Sequence, residues 1–281
     1  AEYGPIYARL ISALAPHVQV NILIRDDVAQ QRVRQSLTSF GAPLHKAAWF
    51  TCPLATTFIR DGAVFLTDGS GGISVLDLKW STYGLEEWCR RLHDGDPSGA
   101  ADCMKFADVA QDEIDSWFAG ATAAPIVASE LRLENACYEV NGAGVLLIGE
   151  RLALGRNPAW TKERIEAALL AIPGVKKIIW LAEGLAEDPL EISTITGDYI
   201  GLGANGHTDE FVRFADANTI LLAWVDEEAA RSHPVARINR DRMIRNFTIL
   251  SEATDQSGLP FRILRVPMPR ENDQVAVVSA S

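Results

Sequence analysis

The chain has 281 residues, of which 48% are hydrophobic and 22% charged, and its formal net charge is -11 at pH 7. This balance is typical of a globular protein with enough apolar mass for one large domain or two small ones. The acidic character disfavours nonspecific binding to nucleic acid or to anionic lipid. It favours a cationic small molecule as ligand, although a high net charge also serves plain solubility.

The sequence shows no membrane-spanning or targeting segment. No run approaches the roughly 18 consecutive apolar residues that a membrane-spanning helix needs. The first 25 residues contain Glu2, Pro5, Pro16 and His17, where a signal peptide would need an unbroken apolar stretch. We therefore expect no membrane association and a cytoplasmic location.

The cysteines predict neither a metal site nor a disulfide framework. Cys52, Cys89, Cys103 and Cys137 are spread along the chain without a Cys-x-x-Cys pair or a His/Cys cluster at zinc-ligand spacing. This usage suggests a reducing compartment.

The first part of the chain predicts a helix, a strand and a second helix. An apolar run at residues 20–24 is typical of a buried strand. Asp26 can cap the second helix, which ends before Gly41. The apolar residues at helical spacing in the two helices are Ile6, Leu10, Leu14, Val28, Val33 and Leu37.

The same alternation of helices and short apolar strands continues to the end of the chain. Thr161 can cap a helix that ends at residues 173–174, and another helix runs from Ile238 to Leu250. Residues 94–102, with Pro97, are expected to form a surface loop that serves as a connector. Further strands are predicted at residues 62–67, 73–78, 145–148, 177–181, 219–225 and 261–266. Periodicity alone therefore indicates a mixed α/β or α+β protein.

The strongest signal for chemistry is the Asn-Gly-His-Thr-Asp-Glu segment at residues 205–210. If the chain is extended from His207, its side chain and that of Asp209 project to the same face. A histidine beside a carboxylate is a common pair for general acid and base catalysis. A turn histidine hydrogen-bonded to its neighbours explains these six residues equally well.

Several blocks of the sequence resemble the agmatine deiminases and bacterial peptidyl-arginine deiminases. Residues 204–209 resemble that family's T-D/N-G-H-x-D block, and residues 220–226 resemble the apolar run that follows it. Further similar blocks, in the same order along the chain, are residues 58–61 with Phe65 (W-I-R-D-x-G-P-x-F), 77–84 (D-x-x-F-N-x-W-G), 133–144 (L-E-G-G-x-x-x-x-D-G-x-G), 156–158 (R-N-P) and 174–181 (G-V-x-K-V-I-W-L). The resemblance extends over nearly the whole chain.

The resemblance implies a fold and a domain organisation. The family fold is a pentein-type α/β propeller with pseudo-five-fold ββαβ units, and residues 1–281 would form a single deiminase-like catalytic domain. Neither the family's opening W-x-P-H-x block nor its G-G-x-x-H-C block, which holds the cysteine nucleophile, occurs in these residues. The propeller is therefore expected to be incomplete at both ends.

The resemblance also assigns roles to individual residues. Asp61 and Asp209 would grip the guanidinium, His207 would act first as acid and then as base, and Glu134 would orient the histidine. The other residues implied in substrate binding are Trp80, Arg60 and Asn205, and Arg60 has a structural ion pair as its alternative role. No metal and no cofactor are implied.

The implied function is an amidine hydrolase that acts on a small cationic guanidino substrate such as agmatine. The products would be N-carbamoylputrescine and ammonia, formed through a cysteine thiouronium intermediate, and a homodimer is possible. The alternatives are a non-catalytic pentein relative that binds a guanidino compound or a protein partner, and a peptidyl-arginine deiminase.

The sequence also departs from the family pattern. Asn135 and Ala136 replace the double glycine after the glutamate, and Glu139 and Asn141 stand where the family often has His and Asp. Cys52 and Cys137 lie near the motifs in the sequence and could be considered as substitute nucleophiles. Cysteine, however, is most often a small buried apolar side chain. These 281 residues alone are therefore expected to bind guanidines without hydrolysing them.

Overall fold

The protein is described by a computed structural model over residues 4–54, 60–62, 64–67, 69–94, 96–104, 112–190 and 192–269. The helices are α1 (Gly4–Leu14), α2 (Asp27–Ser39), α3 (Leu85–Leu92), α4 (Pro97–Met104), α5 (Ile114–Thr122), α6 (Glu150–Arg156), α7 (Lys162–Leu170), α8 (Glu227–Ser232) and α9 (Pro234–Glu252). The strands are β1 (Val20–Ile24), β2 (Ala47–Thr51), β3 (Val64–Thr67), β4 (Ile73–Lys79), β5 (Ile126–Arg132), β6 (Tyr138–Val140), β7 (Val145–Gly149), β8 (Lys177–Leu181), β9 (Ser193–Thr196), β10 (Tyr199–Gly201), β11 (Val212–Phe214), β12 (Thr219–Trp224) and β13 (Arg262–Pro267).

One strand arrangement recurs three times. The sheets β3-β4-β5, β6-β7-β8 and β11-β12-β13 each begin with an antiparallel pair and end with a parallel pair. The chain enters the last strand of each sheet from a helix, α5, α7 or α9. The parallel pair β1-β2, joined through α2, repeats the second half of this unit, and β9-β10 is a separate hairpin. The predicted mixed α/β class is confirmed, and the closed propeller stays a prediction.

Two large apolar clusters meet at β7, which supplies side chains to both. Leu146 and Ile148 pack into the cluster that contains Leu131 and the buried face of α7. Val145 and Leu147 point the other way, into the cluster formed with β12 and α9. Alternate residues of a strand face opposite sides, so an unbroken apolar run is what a strand buried on both faces requires. The end of β7 therefore lies on a rigid base.

Helix α4 replaces the surface loop that the sequence predicts at residues 94–102. The Asp96 carboxylate accepts the backbone N–H groups of Ser98 and Gly99, at 3.1 Å each. Pro97 stands at the first position of the helix, where its missing N–H costs nothing. The loop prediction is wrong because an Asp cap followed by Pro is a helix start.

A disulfide between Cys89 of α3 and Cys103 of α4 contradicts the expectation that these cysteines form no bond. Cys52 and Cys137 are not disulfide-bonded, and both thiols are buried. Disulfides persist mainly in oxidising compartments. Cysteine usage therefore no longer supports the expected reducing compartment.

Helix α1 forms as predicted, but the apolar side chains singled out in the sequence point outward. Ile6, Leu10 and Leu14 are exposed, whereas Ala8 and Ile11 are buried against α2. The small alanine fits the close helix contact better than a longer side chain would. Among the described residues, no helix is long and apolar enough to cross a bilayer.

Candidate active site

The centre of the site is Glu134, which follows β5 and is completely buried. The Arg156 guanidinium on α6 donates to it, with Nε 3.1 Å from both carboxylate oxygens and Nη2 2.5 Å from Oε1. The Ser81 hydroxyl also donates to this carboxylate, and His207 Nε2 lies 2.7 Å from Oε1. Burial alone would raise the pKa of Glu134, but Arg156 and His207 outweigh it and hold the pKa well below its usual range. Glu134 is thus a permanent buried anion.

His207 lies on a loop whose backbone is held by Asp188. The Asp188 carboxylate accepts the N–H groups of Ala204, Gly206 at 2.6 Å and His207 at 2.7 Å. Gly206 has a φ of +85°, and a Cβ there would lie 3.2 Å from the backbone of Gly184, so glycine is required. The chain then enters a 3-10 turn at Thr208–Glu210. The extended segment predicted from His207 is therefore wrong, because the asparagine-glycine turn and the 3-10 turn leave no strand.

Thr208 fastens this loop to the protein core. Its hydroxyl donates to the Cys137 carbonyl at 2.6 Å and accepts the Gly149 N–H at 3.3 Å. Gly149 closes β7, the strand buried between the two clusters. The histidine is therefore positioned from a rigid element.

The environment of His207 favours its protonated form. Burial lowers the pKa of the imidazole, but the hydrogen bond and the negative charge of Glu134 outweigh this effect and raise the pKa above its ordinary value. An imidazolium of this kind can donate a proton to a departing amine.

Asp61 joins the same cluster from a different loop. Its carbonyl accepts the Asn135 N–H at 3.0 Å, and its Oδ2 accepts the Tyr83 hydroxyl at 2.7 Å. Burial raises the pKa of the Asp61 carboxyl; the Tyr83 hydrogen bond and the charge on His207 lower it, and nearby carboxylates raise it further. Those carboxylates are Glu134 and Asp209. The structure thus brings the four predicted residues together, and their individual roles stay predictions.

The turn after β4 serves both buried carboxylates at once. Ser81 accepts the Tyr83 N–H at 3.1 Å and donates to Glu134, while Tyr83 donates to Asp61. Thr82, Tyr83 and Gly84 all have positive φ, at 53°, 56° and 79°. Left-handed backbone costs a non-glycine residue about 1–2 kcal/mol, and such strain concentrates at functional sites. Here the turn directs one hydroxyl to each carboxylate.

Four charged side chains form the rim of the site: Arg60, Glu139, Asp209 and Arg213. Glu139 Oε1 lies 3.3 Å from Arg60 Nη2 and 2.8 Å from Arg213 Nε. Asp209 lies farther from the same two cations, at 4.0 and 3.8 Å. Burial raises the pKa of Glu139 above its ordinary value, although the two arginines lower it. Both arginines are therefore engaged mainly by Glu139.

Comparison with known proteins places the chain in a family. The sequence profile of the Porphyromonas-type peptidyl-arginine deiminases matches residues 1–281. The chain belongs to this family. A Streptomyces coelicolor protein that carries the name "putative agmatine deiminase" is 31% identical over 219 residues, covering 77% of the chain and 55% of the relative. A Selenomonas ruminantium protein with the same name is 25% identical over 276 residues, covering 96% and 64%. The chain thus spans about half to two thirds of the length of these relatives.

Solved structures show the same fold. The agmatine deiminase of Enterococcus faecalis superposes with a TM-score of 0.67 at 20% identity, covering 97% of the chain and 70% of that structure. A cysteine-to-serine variant of the Campylobacter jejuni agmatine deiminase with substrate bound has a TM-score of 0.64 at 20% identity, covering 94% and 64%. The mixed α/β fold is that of the agmatine deiminases.

Two predicted substrate-binding residues of this deiminase-family chain border the cluster rather than belong to it. Trp80 is buried and packs edge-on against Tyr83, with ring centroids 5.1 Å apart. Asn205 lines a separate cavity of about 180 Å³ that includes Arg242 and none of the four clustered residues. Arg60 is at the rim, and residues 58–59 of the same block lie outside the described residues.

Sequence reasoning missed four residues that build the site: Ser81, Tyr83, Arg156 and Asp188. The first three stand inside blocks already matched to the family, so a buried carboxylate that needs donors could have pointed to them. Asp188 carried no signal, because the β9-β10 hairpin separates it from the backbone that it holds.

Two groups of side chains have the spacing of metal ligands, with ligand atoms within 4.8 Å of one another: Glu134, Cys137 and His207, and Asp188, His207 and Glu210. Glu134 already binds the Arg156 cation, and burial raises the pKa of the Cys137 thiol well above its usual value. Asp188 uses both oxygens for backbone N–H groups. A metal needs deprotonated, available ligands, so these donor sets fit a hydrogen-bond network better.

Proposed function

We propose that this site binds and hydrolyses a guanidino group, with agmatine as substrate and N-carbamoylputrescine and ammonia as products. The observation that carries the proposal is the convergence of Asp61, Asp209 and the Glu134–His207 pair in one cluster. The names of the relatives and of the similar structures support it. The closed pseudo-five-fold propeller belongs to the same proposal, since the three-stranded unit recurs three times among the described residues.

The binding step follows from the shape and charge of the ligand. A guanidinium is planar and delocalised, and it is best held by carboxylates that accept parallel N–H bonds. Tyr83 takes one oxygen of Asp61, which leaves the other for the ligand. Asp209 is partly exposed and lies at hydrogen-bond distance from neither rim arginine. Each aspartate therefore has acceptor capacity left.

The chemical step divides between a thiolate and His207. The thiolate attacks the central guanidino carbon, and His207 gives a proton to the ammonia that leaves as the carbon–nitrogen bond breaks. Water then attacks the thiouronium carbon while His207 takes its proton, and the ureido product forms as the thiolate departs. Glu134, held as an anion by Arg156, keeps the imidazole oriented and stabilises its cation.

The attacking thiol is proposed to lie outside these 281 residues. Cys52 and Cys137 are buried, and the raised pKa of the Cys137 thiol disfavours the thiolate. Cys89 and Cys103 are joined in a disulfide. No cysteine of the described site thus has the accessible, electropositive setting of a nucleophile.

The proposal is tested by ligand binding and by turnover. Millimolar agmatine should raise the melting temperature of residues 1–281, and Asp61→Asn and Asp209→Asn should each lose most of that shift. The full-length native protein should release ammonia and a ureido product from agmatine, and His207→Ala should abolish this. An unchanged melting temperature together with no product would overturn the proposal.

Peptidyl-arginine is the second candidate substrate, and the family description favours it. It presents the same guanidinium on a larger tail. Assaying agmatine beside a blocked arginine peptide separates the two.

A further inference from the structure

The rim carboxylate Glu139 contacts both rim arginines and is itself nearly covered. Its side chain is 8% exposed, whereas those of Arg60 and Arg213 are 46% and 43% exposed. We infer that Glu139 sets the substrate class of the site: by engaging both arginines, it makes the site prefer guanidines without a carboxylate over those that carry one. The inference rests on the proposed function.

The exposed fractions of the charged side chains indicate which end of a bound ligand faces solvent. Side-chain exposure rises from 0% at Glu134 through 8% at Glu139 and 10% at His207 to 20% at Asp209, and then to 46% and 43% at Arg60 and Arg213. A guanidinium held at depth beside Asp61 must therefore extend its tail past the rim. The rim arginines are the first cations that the tail meets.

The charges of the rim balance as long as Glu139 is ionised. Arg60 and Arg213 face two carboxylates, Glu139 and Asp209. The shorter distances, 3.3 and 2.8 Å, go to Glu139. Asp209 thus keeps acceptor capacity for the guanidinium, whose charge Asp61 offsets, so the four charges of the rim still sum to zero and do not attract a substrate carboxylate.

The net charge of the rim discriminates between substrate tails with and without a carboxylate. A carboxylate brought to the rim meets two arginines whose charge Glu139 and Asp209 already offset, so it loses hydration without gaining a net attraction. An uncharged tail has no carboxylate to desolvate, and an amine can donate to the rim carboxylates. Neutralising Glu139 leaves the rim with one excess positive charge, which attracts a substrate carboxylate. The released arginines then compete with the guanidinium for Asp209.

The sharpest probes are L-arginine and its methyl ester, because esterification removes the carboxylate charge and keeps the guanidinium. Titration calorimetry with the wild-type chain should show the ester binding about tenfold more tightly. Glu139→Gln should bring the two dissociation constants to within about twofold of each other and should weaken agmatine binding several-fold. The double variant, Glu139→Gln with Arg213→Gln, should lose the gain in L-arginine affinity that Glu139→Gln alone produces.

Glu227→Gln is the matched control, since Glu227 also pairs with two arginines, Arg231 and Arg240, away from the site. It should leave the ratio of ester to arginine affinity unchanged. Glu139→Asp, which keeps the charge, should retain the preference for the ester.

Two failures are distinguishable. If the wild-type chain binds agmatine but Glu139→Gln leaves the ester-to-arginine ratio unchanged, the role of Glu139 is overturned and the proposed function stands. If the wild-type chain binds none of the three guanidines, the proposed function fails and the inference fails with it.

Discussion

The buried centre and the rim of the site use the same chemistry, but their cations differ in exposure. Glu134 pairs with Arg156 and His207, and Glu139 pairs with Arg60 and Arg213. The charged side chains of the centre are buried, so each of its charges depends on the others. The rim cations are nearly half exposed, and water and salt screen them. The comparison suggests that the centre fixes structure and protonation, while the rim adjusts the charge that a ligand meets.

Glu134→Gln should have the largest effect, a loss of about 3–5 kcal/mol of unfolding free energy, because it leaves the buried Arg156 cation without its anion. Glu139→Gln should cost no more than about 1 kcal/mol, since solvent screens the rim arginines. Urea denaturation of both variants measures the two values. Equal losses of unfolding free energy in the two variants would show that the centre and the rim do not differ in their contribution to stability.

Asp188→Asn comes next, with an expected loss of about 2 kcal/mol, because the amide has one acceptor oxygen and its NH2 group would face backbone N–H groups that both carboxylate oxygens now accept. The same denaturation series measures it. Asp216→Asn is the control, because Asp216 is exposed and accepts a backbone N–H from Asn218 in a surface turn; its effect should be small. A stable Asp188→Asn variant with unchanged agmatine binding would contradict the positioning role of Asp188.

Tyr83→Phe should cost about 1 kcal/mol, the contribution of one hydrogen bond to a partly buried carboxylate, and should weaken agmatine binding. Tyr138→Phe is a matched control, because the buried Tyr138 hydroxyl has no partner among the described residues. That control should leave stability unchanged or improve it. Equal responses in the two variants would mean that the bond to Asp61 contributes nothing.

The smallest expected effect is the pH dependence that His207 gives to the centre. The pKa of His207 is raised in the folded protein, so its charge stabilises the fold fully below its ordinary value of 6.5. This contribution is lost as the pH rises through the raised pKa. The stability difference between the wild type and His207→Gln should therefore shrink from pH 6 towards pH 9, as followed by urea denaturation. A stability difference that grows between pH 6 and pH 9 would contradict a raised pKa of His207 in the folded protein.

The sequence predicted the elements whose signal is local. The apolar runs at residues 20–24 and 177–181 became β1 and β8 with the predicted bounds. Thr161 caps α7, as predicted, because its hydroxyl accepts the Arg164 N–H. Residues 145–148 were identified as a strand, yet a run of apolar residues cannot show that β7 separates two cores.

The missing parts of the site depend on contacts between distant residues. Asp188 acts on the backbone of residues 204–207 across a hairpin, so no spacing in the sequence reveals the link. Arg156 and Glu134 are 22 residues apart, and nothing local marks them as a buried pair. The pairing of Cys89 with Cys103 depends on the unpredicted helix α4.

The measurement that tests the central claim most directly is a crystal structure of the chain with agmatine. The account predicts the guanidinium between Asp61 and Asp209, with its nitrogens about 3 Å from a carboxylate oxygen of each, and with the tail leading past Glu139 towards solvent. A ligand bound in the cavity beside Asn205, or a guanidinium that contacts neither aspartate, would contradict it.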